Sequence, residues 1–160
     1  MIPRDNLKAL LDEENQAIRD FLALLQQEQG VLTSGKAAEM DTLPALTERK
    51  DGLARTLESL ARRRNAALTE QGFADERNSV EAWLSHATDN AQSRTCWANT
   101  LALASEAREI NRQNGELINI RMQHNSRALE TLQGAQRGLD LYGPDGQYAP
   151  PGQGRIKDAV

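Results

Sequence analysis

Leu11, Ile18, Leu25 and Leu32 recur at intervals of seven, and Leu46, Leu53, Leu60 and Ala67 repeat that interval downstream. Apolar residues at this spacing draw a continuous stripe along an α-helix and give a strand no consistent face. Such a stripe needs another helix to cover it. The side chains agree, because 21 leucines and 22 alanines supply most of the hydrophobic residues, while valine and isoleucine together number nine and aromatics are 4%. Leu and Ala favour helices, and β-branched and aromatic residues favour strands. The expected fold is therefore all-α. A single domain of 160 residues can bury roughly 70% of its unfolded surface.

The first stripe, broadened by Leu7, Phe21 and Leu22, predicts a helix from about Asp5 to Leu32, broken by Gly30 and the "TSGK" run at 33 to 36. A second helix is expected with Asp41 or Thr42 as its cap, Pro44 in its first turn and Gly72 as its stop. Val80, Trp83, Leu84 and Ala87 then share one face of a short helix, about three turns long, that connects two long ones. A heptad from about Asp89 to Gln136 predicts the last and longest helix. About three long helices plus a short connecting helix imply an elongated antiparallel bundle.

Composition changes at Gly134: six of the 11 glycines and three of the five prolines lie from there onward. Helix cannot persist through "YGPDGQ", since Pro144 fixes its own φ and restricts Gly143. The expected division is a helical bundle domain, 1–136, and a flexible Gly/Pro-rich C-terminal arm, 137–160. Leu139, Leu141, Tyr142, Tyr148 and Ile156 are too apolar for a plain spacer and suit an arm that docks on something.

The last helix raises a question of its own. Alternating steps of four and three from Trp97 trace Leu101, Ala104, Arg108, Asn111, Gly115, Ile118, Met122, Asn125, Leu129 and Leu132. A seam between helices wants apolar side chains, yet Arg108, Asn111, Gly115 and Asn125 interrupt this one. One reading is exchangeable packing, in which Leu117, Ile118, Met122, Leu129 and Leu132 grip a partner helix while the amides and the glycine limit affinity. Gly115 would then give another backbone close access. The plainer reading is that the polar residues face water where the stripe rotates round the helix.

Chemistry is poorly supplied. A net charge of -4 and a pI near 5.3 give no general footprint for nucleic acid, and "ARRRN" (Arg62, Arg63, Arg64) reads as a solvated helix face. The single cysteine, Cys96, excludes an internal disulfide and reads as a half-buried small residue beside Trp97. His86 and His124 lie on separate helices without HExxH, and neither GxGxxG nor a P-loop pattern occurs. No metal, cofactor or enzymatic activity is expected. No signal-peptide core and no run of ~18 apolar residues is seen, so the expected location is the cytoplasm, without direct membrane insertion.

The stretches "NRQNGELI" (111 to 118), "RMQHNSRALETLQGA" (121 to 135) and "LYGPDGQ" (141 to 147) together resemble the FlgN-type flagellar export chaperones, and "ERKDGLARTLESLARRR" resembles that family's second helix. The resemblance implies a cytoplasmic chaperone of bacterial flagellar type III secretion. Such a protein binds the helical terminal segments of hook-filament junction proteins, prevents premature assembly and delivers them to the cytoplasmic domain of the export gate. Carried over by residue, Asn111, Asn114, Gly115, Leu117 and Ile118 match the family's helical signature for client binding. Tyr142 and Gly143 match the tyrosine element associated with gate docking. Periodicity adds Met122, Leu129 and Leu132 to the client-binding set. The sequence leaves the oligomeric state open. Two other readings stand beside this one: "HNSRA" at His124 loosely resembles the HxxKG of histidine phosphotransfer bundles, and the 97–132 seam would suit a structural coiled-coil adaptor that dimerises.

Overall fold

The computed structural model describes residues 4–73, 78–86 and 89–140, with side chains over 6–73, 78–86 and 89–135. These residues form helices without strands: α1 (Arg4–Ser34), α2 (Ala37–Met40), α3 (Leu43–Glu70), α4 (Ser79–Ser85) and α5 (Ala91–Asp140). The three long helices and the short connector agree with the periodicity. The chain divides into two compact units, Met1–Leu117 and Ile118–Val160.

In the first unit, Glu28 of α1 meets Lys50 of α3 and Glu14 meets Arg64, so partner numbers fall along one helix as they rise along the other. These two helices run antiparallel. Asn15 bonds to Asn99 and Thr100 of α5, and Gln29 bonds to Gln113, so α1 and α5 run parallel. The arrangement is up, down, up, with consecutive long helices antiparallel.

Two apolar clusters fill this bundle. One joins Leu7, Leu10 and Leu11 of α1 to Leu60, Ala67 and Leu68 of α3 and to Val80, Trp83 and Leu84 of α4. The other sets Ile18, Leu22 and Leu25 against Ala107 of α5, with Leu103 and Ile110 beside it; Leu57 touches both clusters. Each fully buried leucine contributes roughly 1.5–3 kcal/mol, so the α1 stripe alone is a large share of the stabilisation.

Helix ends follow local chemistry. α1 continues through Gly30 and stops only at Gly35, whose φ of 69° is a left-handed conformation that suits glycine. Thr42 occupies the N-cap of α3 and Pro44 its first turn, but the Thr42 hydroxyl donates back to the Glu39 carbonyl at 2.6 Å and makes no side-chain cap. At the other end Gly72, with φ 87°, donates to the Thr69 carbonyl while Phe73 donates to the Leu68 carbonyl. That pair of bonds is a Schellman motif, and Phe73 returns to pack on the cluster that contains Leu68. α4 is shorter than its apolar face predicts, and Ala87 lies outside the described residues. Residues 137–140 of the expected arm are helical, while 141–160, including Tyr142, Gly143 and Tyr148, lie outside the described residues.

In the first unit the most buried face of α5 lies one residue from the anticipated seam, of which Trp97 and Ala104 stay half-buried and packed on the two clusters. Its buried positions are Ser93, Thr100, Ala107 and Asn114, at intervals of seven, with Leu103, Ile110 and Leu117 half-buried between them. Leu101, Arg108 and Asn111 are exposed. The offset has a physical cause: Thr100 and Asn114 find hydrogen-bond partners on α1, so polar residues occupy the most buried face in place of the more apolar-looking register.

Candidate functional site

The sequence-derived client-binding residues separate into two environments. Asn114 is 1% exposed, and its Nδ2 donates to the Leu25 carbonyl at 2.9 Å and to Glu28 Oε1 at 2.8 Å. Glu28, 2% exposed, also takes the Lys50 ammonium at 3.0 Å. An amide, a carboxylate and an ammonium from α5, α1 and α3 thus close one buried network. Burying such groups costs least when they are paired, and these pairs fix the register of three helices, while Asn114 Oδ1 is buried without a hydrogen-bond partner among the described residues. Asn111, three residues earlier, faces water, as does Arg108. Gly115 is half-buried, but a Cβ placed on it would meet nothing within 4 Å. No described part of the chain approaches the open side of this glycine.

A second polar cluster lies nearer the start of α5. Asn15 Nδ2 donates to Thr100 Oγ1 at 2.9 Å and to Asn99 Oδ1 at 3.0 Å, while Arg19 Nε donates to Asn15 Oδ1 at 2.8 Å. Opposite, Arg64 Nη1 lies 2.7 Å from both carboxylate oxygens of Glu14, which is 4% exposed. The same guanidinium sits 5.0 Å from the centroid of the Trp97 ring. Burial pushes the Glu14 carboxyl above its usual value and outweighs the opposing pull of Arg64. Arg64 is therefore an interior ion-pair partner, whereas Arg62 and Arg63 make exposed pairs with Glu58 and Glu13. The solvated-face reading holds for those two alone.

None of Glu14, Asn15 or Glu28 stands among the residues singled out from sequence, although a signal was present. Glu14 and Glu28 fall on the seven-residue series that begins at Leu7 and includes Phe21, where a carboxylate interrupts an apolar face. Its partners lie 22 to 86 residues away.

The second unit presents a different surface. Within α5, Ile118 is half-buried, and Met122, Leu129 and Leu132 are 62%, 58% and 66% exposed. Their steps of four, seven and three keep them on one helix face, with Asn125 between. Large apolar side chains in a row facing water are a feature of binding surfaces. Leu117, in the first unit, is half-buried.

Cys96 is half-buried, its Sγ lies 3.6 Å from the Leu11 carbonyl, and burial, with Asp12 nearby, pushes its thiol up from the ordinary value. A thiol held in its protonated form is a poor nucleophile. Both histidines are exposed, and no group of three or more His, Cys, Asp or Glu among the described residues is placed to hold a metal ion. No described helix is long and apolar enough to cross a membrane.

Comparison with known proteins adds independent information. A family model described as FlgN protein matches residues 1–150. A flagella synthesis protein FlgN of Yersinia enterocolitica is 30% identical over 143 residues, covering 89% of this chain and 88% of its own. The proteins of that name from Salmonella typhimurium and Escherichia coli are each 27% identical over 154 residues, covering 96% of this chain and 98% of their own. No solved structure matches.

Proposed function

The chain belongs to the FlgN family, and from that premise we propose that it is a cytoplasmic chaperone of flagellar type III export. Its clients are the helical terminal segments of hook-filament junction proteins. The exposed row of Met122, Leu129 and Leu132 on α5 carries this reading. An amphipathic helix that polymerises through its apolar face is aggregation-prone until covered, and a helix with a matching row can cover it.

The client helix lies along the Ile118 to Leu132 face and shields its own apolar side chains there. Burying each of three large side chains contributes at most about 1.5–3 kcal/mol, and ordering two partners offsets much of that gain. The balance favours reversible capture, and Asn125 within the row limits it further. Met122 adapts to imperfect complementarity because its thioether chain is flexible. Asn111, exposed beside the bundle, is available to a client, whereas Asn114 acts by holding α5 on α1 and Gly115 leaves open space at its position. Release needs only competition for the same segment, so no nucleotide is required. Delivery to the cytoplasmic domain of the export gate is assigned to Tyr142 and Gly143 on the family resemblance.

The test is calorimetric titration of the full chain with helical terminal fragments of junction proteins. We expect micromolar or tighter binding, weakened at least tenfold by Met122→Ala combined with Leu129→Ala, with the urea unfolding midpoint unchanged. Equal losses of stability and binding would make these core residues, and absence of binding to every fragment would remove the chaperone reading. Tyr142→Ala is expected to impair gate binding and spare client binding.

A further inference from the structure

We propose that the face of α1 and α3 turned away from α5 is a second client seat, which takes an amphipathic helix in a single axial direction. This inference rests on the chaperone reading. On α1 the residues that meet α5 are Leu11, Asn15, Ile18, Leu22, Leu25 and Gln29. Glu13, Asp20, Ala23 and Gln27 lie about half a helical turn from them. Those residues line an open groove whose other wall is α3. It runs over residues 13–27 of α1 and 49–63 of α3, about 21 Å at 1.5 Å per residue. That length accommodates four turns of a helix.

The floor is apolar: Ala17, Leu24, Leu53 and Leu60 line it. The α3 wall carries the small side chains of Gly52, Thr56 and Ser59, and the α1 wall carries Ala23 between the longer Gln16, Asp20 and Gln27. A helix backbone can approach the α3 wall closely.

The rims carry opposite charge. Glu13 and Asp20 stand on the α1 side, and Arg49, Arg55 and Arg63 stand on the α3 side. Only Glu13 and Arg63 are joined across the groove, at 3.6 Å, and both side chains are more than half exposed. The occupant that fits this pattern is a helix with an apolar stripe, basic residues on its flank toward α1 and acidic residues on its flank toward α3. With the stripe facing down, reversing the helix axis would exchange its flanks and set like charges together. Charge thus selects direction as well as partner.

Two variants of the full chain test the seat by titration with the same junction-protein fragments. Gly52→Gln places bulk in the groove at a helical position where an added Cβ meets nothing within 4 Å, and it replaces a poor helix former with a better one. Arg49→Glu with Arg55→Glu reverses the basic rim. We expect each variant to weaken fragment binding at least tenfold, with an unfolding midpoint equal to or above the unaltered chain for Gly52→Gln. The rim variant should also flatten the salt dependence of Kd. Unaltered binding by both, with the Met122→Ala and Leu129→Ala chain still defective, would overturn the second seat and leave the chaperone reading standing. No fragment binding by the unaltered chain would overturn both. A dimer in sedimentation that either groove variant dissociates would make a second copy the occupant and overturn the client assignment.

Discussion

Asn114 of α5 and Glu28 of α1 meet at 2.8 Å inside the bundle, and Lys50 of α3 completes the contact from the other side of the carboxylate. Three helices thereby share one buried charge. Asn114→Ala is expected to destabilise the chain by about 1–3 kcal/mol, because it removes a donor from a buried carboxylate. The measurement is urea unfolding followed by circular dichroism. A double-mutant cycle with Glu28→Gln should give a non-zero coupling. Additive losses would show that the bond contributes nothing beyond the two side chains separately.

Arg64 and Glu14 make the second interior pair. Arg64→Ala should cost about 3–5 kcal/mol at neutral pH, since it strands a carboxylate beneath the surface. Arg62→Ala, which loses only an exposed pair with Glu58, should stay within about 0.5 kcal/mol. Burial already raises the Glu14 carboxyl in the folded chain. A folded-state pKa above the unfolded value means that the native chain holds the proton more readily, so stability falls as pH rises through that window and recovers as pH falls. Without Arg64 the rise is larger. Unfolding curves between neutral pH and the carboxylate range should therefore show the deficit of the Arg64→Ala chain shrinking on acidification.

Gly72 and Gly115 predict opposite outcomes for the same substitution. Gly72 has φ 87° in a Schellman motif, and Gly72→Ala should lose about 1 kcal/mol or more through strain in the left-handed region. Gly115 sits within α5 with open space around it, so Gly115→Ala should gain about 0.5–1 kcal/mol from helix propensity. Thermal unfolding of both variants checks the pair. If Gly115→Ala folds better and also loses client binding, the glycine is kept for the client and not for the fold.

Cys96 should react slowly in the native chain. Burial and Asp12 push its thiol up, so the rate of alkylation by iodoacetamide should rise at higher pH in the folded chain than in urea. The same sign makes the thiol's contribution to stability fall as pH rises through the unfolded thiol's range. Equal pH midpoints in the two states would contradict the burial seen beside Leu11.

Periodicity determined the helices, and it did so for a local reason. Leu11, Ile18, Leu25 and Leu32 lie within one segment, and the face they share is fixed by the geometry of a single helix. Gly72 and Pro44 mark boundaries through their own backbone preferences, which no distant residue alters. The exposed row of Met122, Leu129 and Leu132 was also legible, because a spacing of four and three holds whether or not anything covers it.

Tertiary structure decided which face of α5 is packed. From sequence, Thr100 and Asn114 look like the wrong residues for an interior, and Leu101 looks like the right one. The choice turns on Asn15 and Glu28, which lie 85 and 86 residues away and supply the missing hydrogen bonds. A pattern along one segment carries no information about a hydrogen-bond partner on another, and a polar residue's cost of burial depends on whether that partner arrives. Local patterning is thus enough for the three long helices and the stop at Gly72, whereas the register in which they pack is set only where α1, α3 and α5 meet.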